Sequence, residues 1–138
     1  MTQEREAYVR YRIERARATL REARTLLDTD QVLGAVNRLY YACFYAVCAL
    51  LFTEGKKSSK HMGVRAFFDE FWVKPRRVPV KLGRFYRNIF DDRQKADYAD
   101  EACFDPAEVR AWFEEATAFV AEVTGLAERH LAAGESEP

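Results

Sequence analysis

From Leu39 to Thr53 the chain carries no charged residue, and neither glycine nor proline interrupts the run: Leu39-Tyr40-Tyr41-Ala42-Cys43-Phe44-Tyr45-Ala46-Val47-Cys48-Ala49-Leu50-Leu51-Phe52-Thr53. It forms the core of an apolar stretch from Val32 to Phe52. A helix that is apolar on every side must be surrounded by other helices or by lipid. An uncharged run of this length falls short of the roughly 20 residues that a bilayer span needs. Tyr40, Tyr41 and Tyr45 also require hydrogen-bond partners that lipid cannot supply. The stretch therefore predicts the buried central helix of a soluble bundle, with no membrane association, and the remainder of the chain reads as its cover.

Helical periodicity supplies that cover. Val9, Ile13, Ala16, Leu20, Ala23 and Leu27 recur at spacings of three and four, predicting a first helix from about Glu4 to Leu27 with a narrow apolar stripe. Arg5, Arg10, Arg12, Arg15, Arg17, Arg21 and Arg24 fill its other faces. With Glu4, Glu6, Glu14 and Glu22 interleaved, these read as a solvated surface. Asp28-Thr29-Asp30 offers a turn and an N-cap for the central helix. Gly55 stops that helix, and Ser58 or Ser59 is placed to cap a short third one with Val64, Phe67, Phe68 and Phe71 on its apolar face. A basic loop stiffened by Pro75 and Pro79 follows. A fourth helix starts near Pro79, with Leu82, Phe85, Tyr86, Ile89 and Phe90 buried. Asp105-Pro106-Ala107-Glu108 opens the last helix as a capping box with proline at its first position. The fold class is all-α: an antiparallel four-helix bundle with an additional short helix, a single domain over residues 1–133 and a frayed tail over 134–138.

Three cysteines, Cys43, Cys48 and Cys103, form no CxxC pair, and His61 and His130 belong to no ligand-spaced cluster. Structural thiols in a reducing compartment fit this pattern, and neither a metal site nor a cofactor is expected. Nothing at the N-terminus reads as a signal peptide, so the expected location is cytoplasmic. Zero net charge conceals an asymmetry: residues 56–95 carry a net +8 and residues 96–138 a net −9. Either these segments face each other, or the middle third offers a cationic surface to a polyanion.

Within the fourth helix, Arg93 continues the core-facing stripe and therefore needs a partner; Asp97, four residues on, can supply one. Arg38, interrupting the apolar segment, calls for an acid on a neighbouring helix, with Asp97, Asp100 and Glu101 as candidates. Three segments in order, Asn37-Arg38-Leu39-Tyr40-Tyr41-Ala42, Lys60-His61-Met62-Gly63-Val64 and Arg93-Gln94-Lys95-Ala96-Asp97-Tyr98, resemble the HEPN superfamily (higher-eukaryote and prokaryote nucleotide-binding), in its small stand-alone prokaryotic branch. The resemblance spans nearly the whole chain. It implies a helical homodimer whose paired Arg-x4-6-His motifs meet in an interfacial cleft that cleaves RNA without metal. It also implies a toxin neutralised by a minimal nucleotidyltransferase partner protein.

The sequence departs from that motif at one position: five residues after Arg93 stands Tyr98, where active members have His. A phenol with a pKa of about 10 is a poor base at neutral pH. The candidate catalytic residues are thus Arg93 for the phosphate, Tyr98 and Asp97 to shape the site, and His61 as a proton shuttle. Candidate RNA- or nucleotide-binding residues are Arg38, Lys74, Arg76, Arg77, Lys81, Arg84, Arg87 and Lys95. Two function classes stay open: an RNA- or nucleotide-binding protein acting as a metal-independent ribonuclease or toxin component, and a catalytically inactive helical adaptor that docks a nucleotidyltransferase.

Overall fold

The structure, a computed structural model, describes residues 2–98 and 104–136. Its helices are α1 (Gln3–Asp28), α2 (Val32–Phe52), α3 (His61–Phe68), α4 (Val80–Tyr98) and α5 (Pro106–Ser136), with a single π-helical turn, Asp69–Val73, continuing α3. Among the described residues there is no strand, and the fold is all-α, as the helical periodicities predict. α5 runs through Gly134 to Ser136, past the point where fraying is expected; residues 137 and 138 lie outside the described residues.

α2 is the centre. Its 21 residues are long and apolar enough to cross a membrane, longer than the uncharged run within them suggests. Yet 13 of them are buried, by α1 on one side and by α4 and α5 on the others. α1 returns antiparallel to α2, so Tyr8 meets Phe52 near one end while Leu26 packs on Gly34 at the other. α4 also runs antiparallel to α2: Arg77, just before it, reaches Glu54, whereas Tyr86 and Phe90 lie against Tyr40. Phe119 of α5 closes the core on Phe68, Phe85 and Tyr86. Burying one such ring contributes roughly 1.5–3 kcal/mol, which makes this aromatic layer the main hydrophobic tie between α4 and α5.

Several local expectations are corrected. The N-cap of α2 is Gln31 with no side-chain bond, not an aspartate. Asp30 instead adopts a left-handed φ of 59° to make the tight α1–α2 turn, and its carboxylate lies 3.5 Å from Arg110. Asp tolerates that conformation better than most residues, at the expense of its capping role. Likewise α3 is capped by Lys60 without a side-chain bond, while Ser58 Oγ accepts from the Lys60 N–H and occupies the space beside Gly63. Gly55 does end the α2 segment, at φ 75°, and Asp105 Oδ1 accepts from the Ala107 N–H at the start of α5.

Among the described residues, mutual pairing does not resolve the charge asymmetry. Among the described residues, Arg93–Asp97 is the only ion pair joining the basic segment to the acidic last third. Arg65 pairs with Asp91 and Arg77 with Glu54, while acids of α5 meet α1 through Arg17–Glu128. Cys43 is buried and Cys48 half-buried, both as free thiols, with burial pushing Cys48 up to about 11. Cys103 lies outside the described residues.

Candidate functional site

Tyr40 is fully buried in the middle of α2, caged by Phe44, Tyr86 and Phe90. A buried phenol must find a polar partner. Its hydroxyl finds His61 Nδ1, 2.8 Å away at the first residue of α3. The imidazole is further held by a parallel stack on Phe44, with ring centroids 4.3 Å apart, and stands edge-on to Tyr41. Hydrogen bond and stack together fix the ring, and Nε2 has no hydrogen-bond partner among the described residues. Burial, with a smaller contribution from the Arg93 charge, lowers the His61 pKa from its ordinary 6.5. At neutral pH the imidazole is uncharged and able to accept a proton.

Arg93 arrives at the same two tyrosines from α4. Its guanidinium carbon lies 5.6 Å from the Tyr40 ring and 5.5 Å from that of Tyr41, and Nη2 donates a long bond of 3.4 Å to Tyr41 Oη. Asp97 sits one turn further on, with Oδ2 3.3 Å from Arg93 Nε, the pair that their spacing predicts. The contact is an attraction of charges without hydrogen-bond alignment, so the buried Nε donor remains unsatisfied among the described residues. Nε is out of reach of solvent, so what this fork-shaped cation can offer a phosphate oxygen is its Nη edge.

Arg38 also reaches Tyr41. Its Nε and Nη2 donate to Asn37 Oδ1 at 3.1 and 2.7 Å, and its guanidinium lies 5.1 Å from the Tyr41 ring. The acid expected for it is not Asp97, which holds Arg93, and Asp100 and Glu101 lie outside the described residues. Two guanidiniums, one from α2 and one from α4, thus lie within 5.5 Å of the Tyr41 ring.

Tyr98 stands apart. Five positions along an α-helix is a rotation of about 500°, which turns Tyr98 roughly 140° away from Arg93. Its ring is 94% exposed. It shares with Arg93, Lys95 and Asp97 the walls of an open groove at the end of α4, completed by Asp91 and Gln94. The direct neighbours of Arg93 are therefore Asp97, Tyr41 and Tyr40, and its electrostatic neighbour is His61.

The basic segment is not gathered here. Lys81, Arg84 and Arg87 are exposed on the first half of α4, between roughly 9 and 18 Å from Arg93 along the helix axis. Lys74 and Arg76 are exposed in the preceding turn. Arg77 is committed to the fold: it pairs bidentately with Glu54, donates to Phe71 O and lies 3.6 Å above the Trp72 ring. Sequence reasoning placed Tyr40, Tyr41 and Tyr45 mainly in the core and gave Asn37 no role. The available signal was Asn37 and Tyr41 one helical turn apart within an otherwise apolar segment, a polar register that a purely structural helix does not need.

The HEPN domain family model matches residues 9–128. A UPF0332 protein of Thermotoga maritima is 39% identical over 125 residues, covering 91% of this chain and 95% of that protein. Two Methanocaldococcus jannaschii proteins are also similar. The one named "Putative toxin MJ0142" is 35% identical over 86 residues, 62% of this chain and 58% of its own length. The one named "Putative toxin MJ0605" is 34% identical over 89 residues, 64% and 66% respectively.

Proposed function

The chain belongs to the HEPN domain family, and from that premise we propose that it is the toxin component of a toxin–antitoxin pair, a cytoplasmic homodimer that binds and cleaves RNA. The observation that carries the reading is the convergence of His61 and Arg93 on Tyr40 and Tyr41 from two different helices. The names of the two archaeal relatives support the toxin assignment. The antitoxin in this reading is a small nucleotidyltransferase.

The chemistry follows from the geometry. Nδ1 of His61 is hydrogen-bonded to the Tyr40 hydroxyl, and in this assignment it carries the ring proton, which leaves the Nε2 lone pair as the base. Nε2 takes the proton from a ribose 2′-hydroxyl as its oxygen attacks the adjacent phosphorus. The bond from phosphorus to the 5′-oxygen breaks, that oxygen takes a proton from solvent water as it leaves, His61 returns its proton to solvent, and a 2′,3′-cyclic phosphate remains. Arg93 stabilises the extra negative charge on the phosphoryl oxygens through its guanidinium charge and the Nη N–H groups not turned to Tyr41, Nε lying buried against Asp97. In this assignment His61 does the work of the histidine that the Arg-x4-His motif lacks here, and exposed Tyr98 supplies a stacking or hydrogen-bonding contact at the rim.

The test is cleavage of a labelled RNA with chelator present, comparing wild type with Arg93→Ala and His61→Gln. Each variant is expected to lose about 100-fold or more in rate while keeping its fold. Wild-type protein that leaves RNA intact, at concentrations where it is folded and dimeric, refutes the ribonuclease. Exposed, unanchored Tyr98 favours one other reading, the inactive adaptor. That reading predicts tight binding of a nucleotidyltransferase and no cleavage.

A further inference from the structure

The arginines of α1 differ in what they meet. Arg10, Arg17 and Arg21 point at carboxylates: Glu6, Glu128 and Glu14. Those on the α2 side lie on aromatic rings instead. Arg12 donates to Tyr8 Oη at 3.1 Å, and its guanidinium is 5.2 Å from the Tyr8 ring and 5.1 Å from that of Tyr45. Arg15 lies 5.5 Å from the Tyr45 ring and also pairs loosely with Glu22, at 3.8 Å. Lys57 rests 4.7 Å from the Tyr8 ring, and Arg38 covers Tyr41. Arg12 and Arg15 remain half-exposed, within the solvated α1 surface that the interleaved charges predict.

The rings form a continuous series along the half-buried face of α2. Phe52 meets Tyr8 at 4.6 Å, Arg12 bridges Tyr8 to Tyr45, and Tyr45 meets Tyr41 at 5.8 Å. From Phe52 to Tyr41 the stripe spans about 16 Å of helix. Tyr41 is also the residue between Arg38 and Arg93, so the stripe ends at the candidate site. A cation resting on a ring keeps its charge available, whereas one paired with a carboxylate does not. Two copies of this face brought together by a two-fold axis set like charges against each other, which is costly. A chain that carries both phosphates and unpaired base faces matches alternating cations and rings. A duplex offers the phosphates but keeps its bases stacked within.

We propose that Tyr8, Tyr45 and Tyr41, with Arg12, Arg15 and Arg38, form a base-stacking track that delivers single-stranded nucleic acid to Arg93 and His61. This rests on the reading of Arg93 and His61 as an RNA site and adds a second, sequence-tolerant binding surface to it.

The experiment is fluorescence polarisation with a single-stranded RNA of about twelve nucleotides and with the same sequence as a duplex. Arg12→Gln/Arg15→Gln is expected to weaken single-strand binding at least about tenfold and to flatten the salt dependence by about 1.4 in slope, for two lost phosphate contacts. Tyr45→Leu weakens it about tenfold with the slope unchanged. Arg17→Gln/Arg21→Gln, on the carboxylate-facing side, changes it less than about twofold. On the wild-type chain, ultraviolet crosslinking places nucleotides on Tyr8, Tyr41 or Tyr45, which keeps the test valid if a variant fails to fold. Equal affinity for duplex and single strand, crosslinks confined to other residues, or a dimer that Arg12→Gln/Arg15→Gln dissociates overturns the track. Wild-type cleavage that depends on Arg93 but ignores Arg12 and Arg15 overturns the track and leaves the site standing. Absence of any RNA binding overturns both.

Discussion

Replacing Tyr40 by Phe removes one oxygen from the centre of the molecule and leaves everything else in place. The ring keeps its cage of Phe44, Tyr86 and Phe90. What is lost is the 2.8 Å bond to His61 Nδ1. A neutral hydrogen bond contributes about 1 kcal/mol net to stability, which in a chain of this size lowers Tm by roughly 3 °C. The catalytic effect is separable from that. His61 remains stacked 4.3 Å from Phe44, so the imidazole stays in position. Without the hydroxyl, neither its tautomer nor its flip about the Cβ–Cγ bond is fixed. A fall of about tenfold in single-turnover cleavage, near 1.4 kcal/mol, is expected, with RNA affinity unchanged. Deleting the imidazole itself costs more, so the same substitution in a His61→Gln background has no further effect on rate. A Tyr40→Phe protein that cleaves at the wild-type rate refutes the argument. So does one that loses as much rate with His61 absent as with it present.

Two further expectations concern charge. Arg93→Gln removes the nearby cation that helps depress His61, so the imidazole pKa rises in an NMR titration and the acid limb of any cleavage profile moves to higher pH. Because the folded-state value lies below the ordinary 6.5, His61 disfavours the folded state as pH falls through 6.5 towards that value; the variant shows less of this loss. Arg77→Ala breaks the bidentate pair with Glu54, the bond to Phe71 O and the stack on Trp72, and destabilises by about 1–2 kcal/mol in denaturant unfolding with RNA cleavage unaltered. The Glu54 pKa is held below its ordinary 4.5 chiefly by Arg77, so this stabilisation is present above pH 4.5 and lost as pH falls through the lower folded value. The variant melts with less dependence on pH in that acid range.

The fold was legible in the sequence because one segment leaves little choice. A run of fifteen uncharged residues with three tyrosines must be buried inside protein, and amphipathic helices of three- and four-residue period on either side are what can bury it. Local chemistry announced the Gly55 stop, the Asp105 start of α5 and the Arg93–Asp97 pair, since each depends only on residues within one or two turns. The misplaced caps show the limit of that information. Asp30 can cap a helix or make a left-handed turn, and the short connection between α1 and α2 decides for the turn.

Only the tertiary structure could bring His61 to Arg93, 32 positions apart in sequence and on different helices. Their meeting depends on how α3 and α4 both pack on the Tyr40–Tyr41 face of α2, a matter of interlocking side-chain shapes that no single helix period encodes. The same holds for the arginines of α1. By composition they are alike; the helix packed alongside determines that Arg17 meets Glu128 and that Arg12 meets Tyr45.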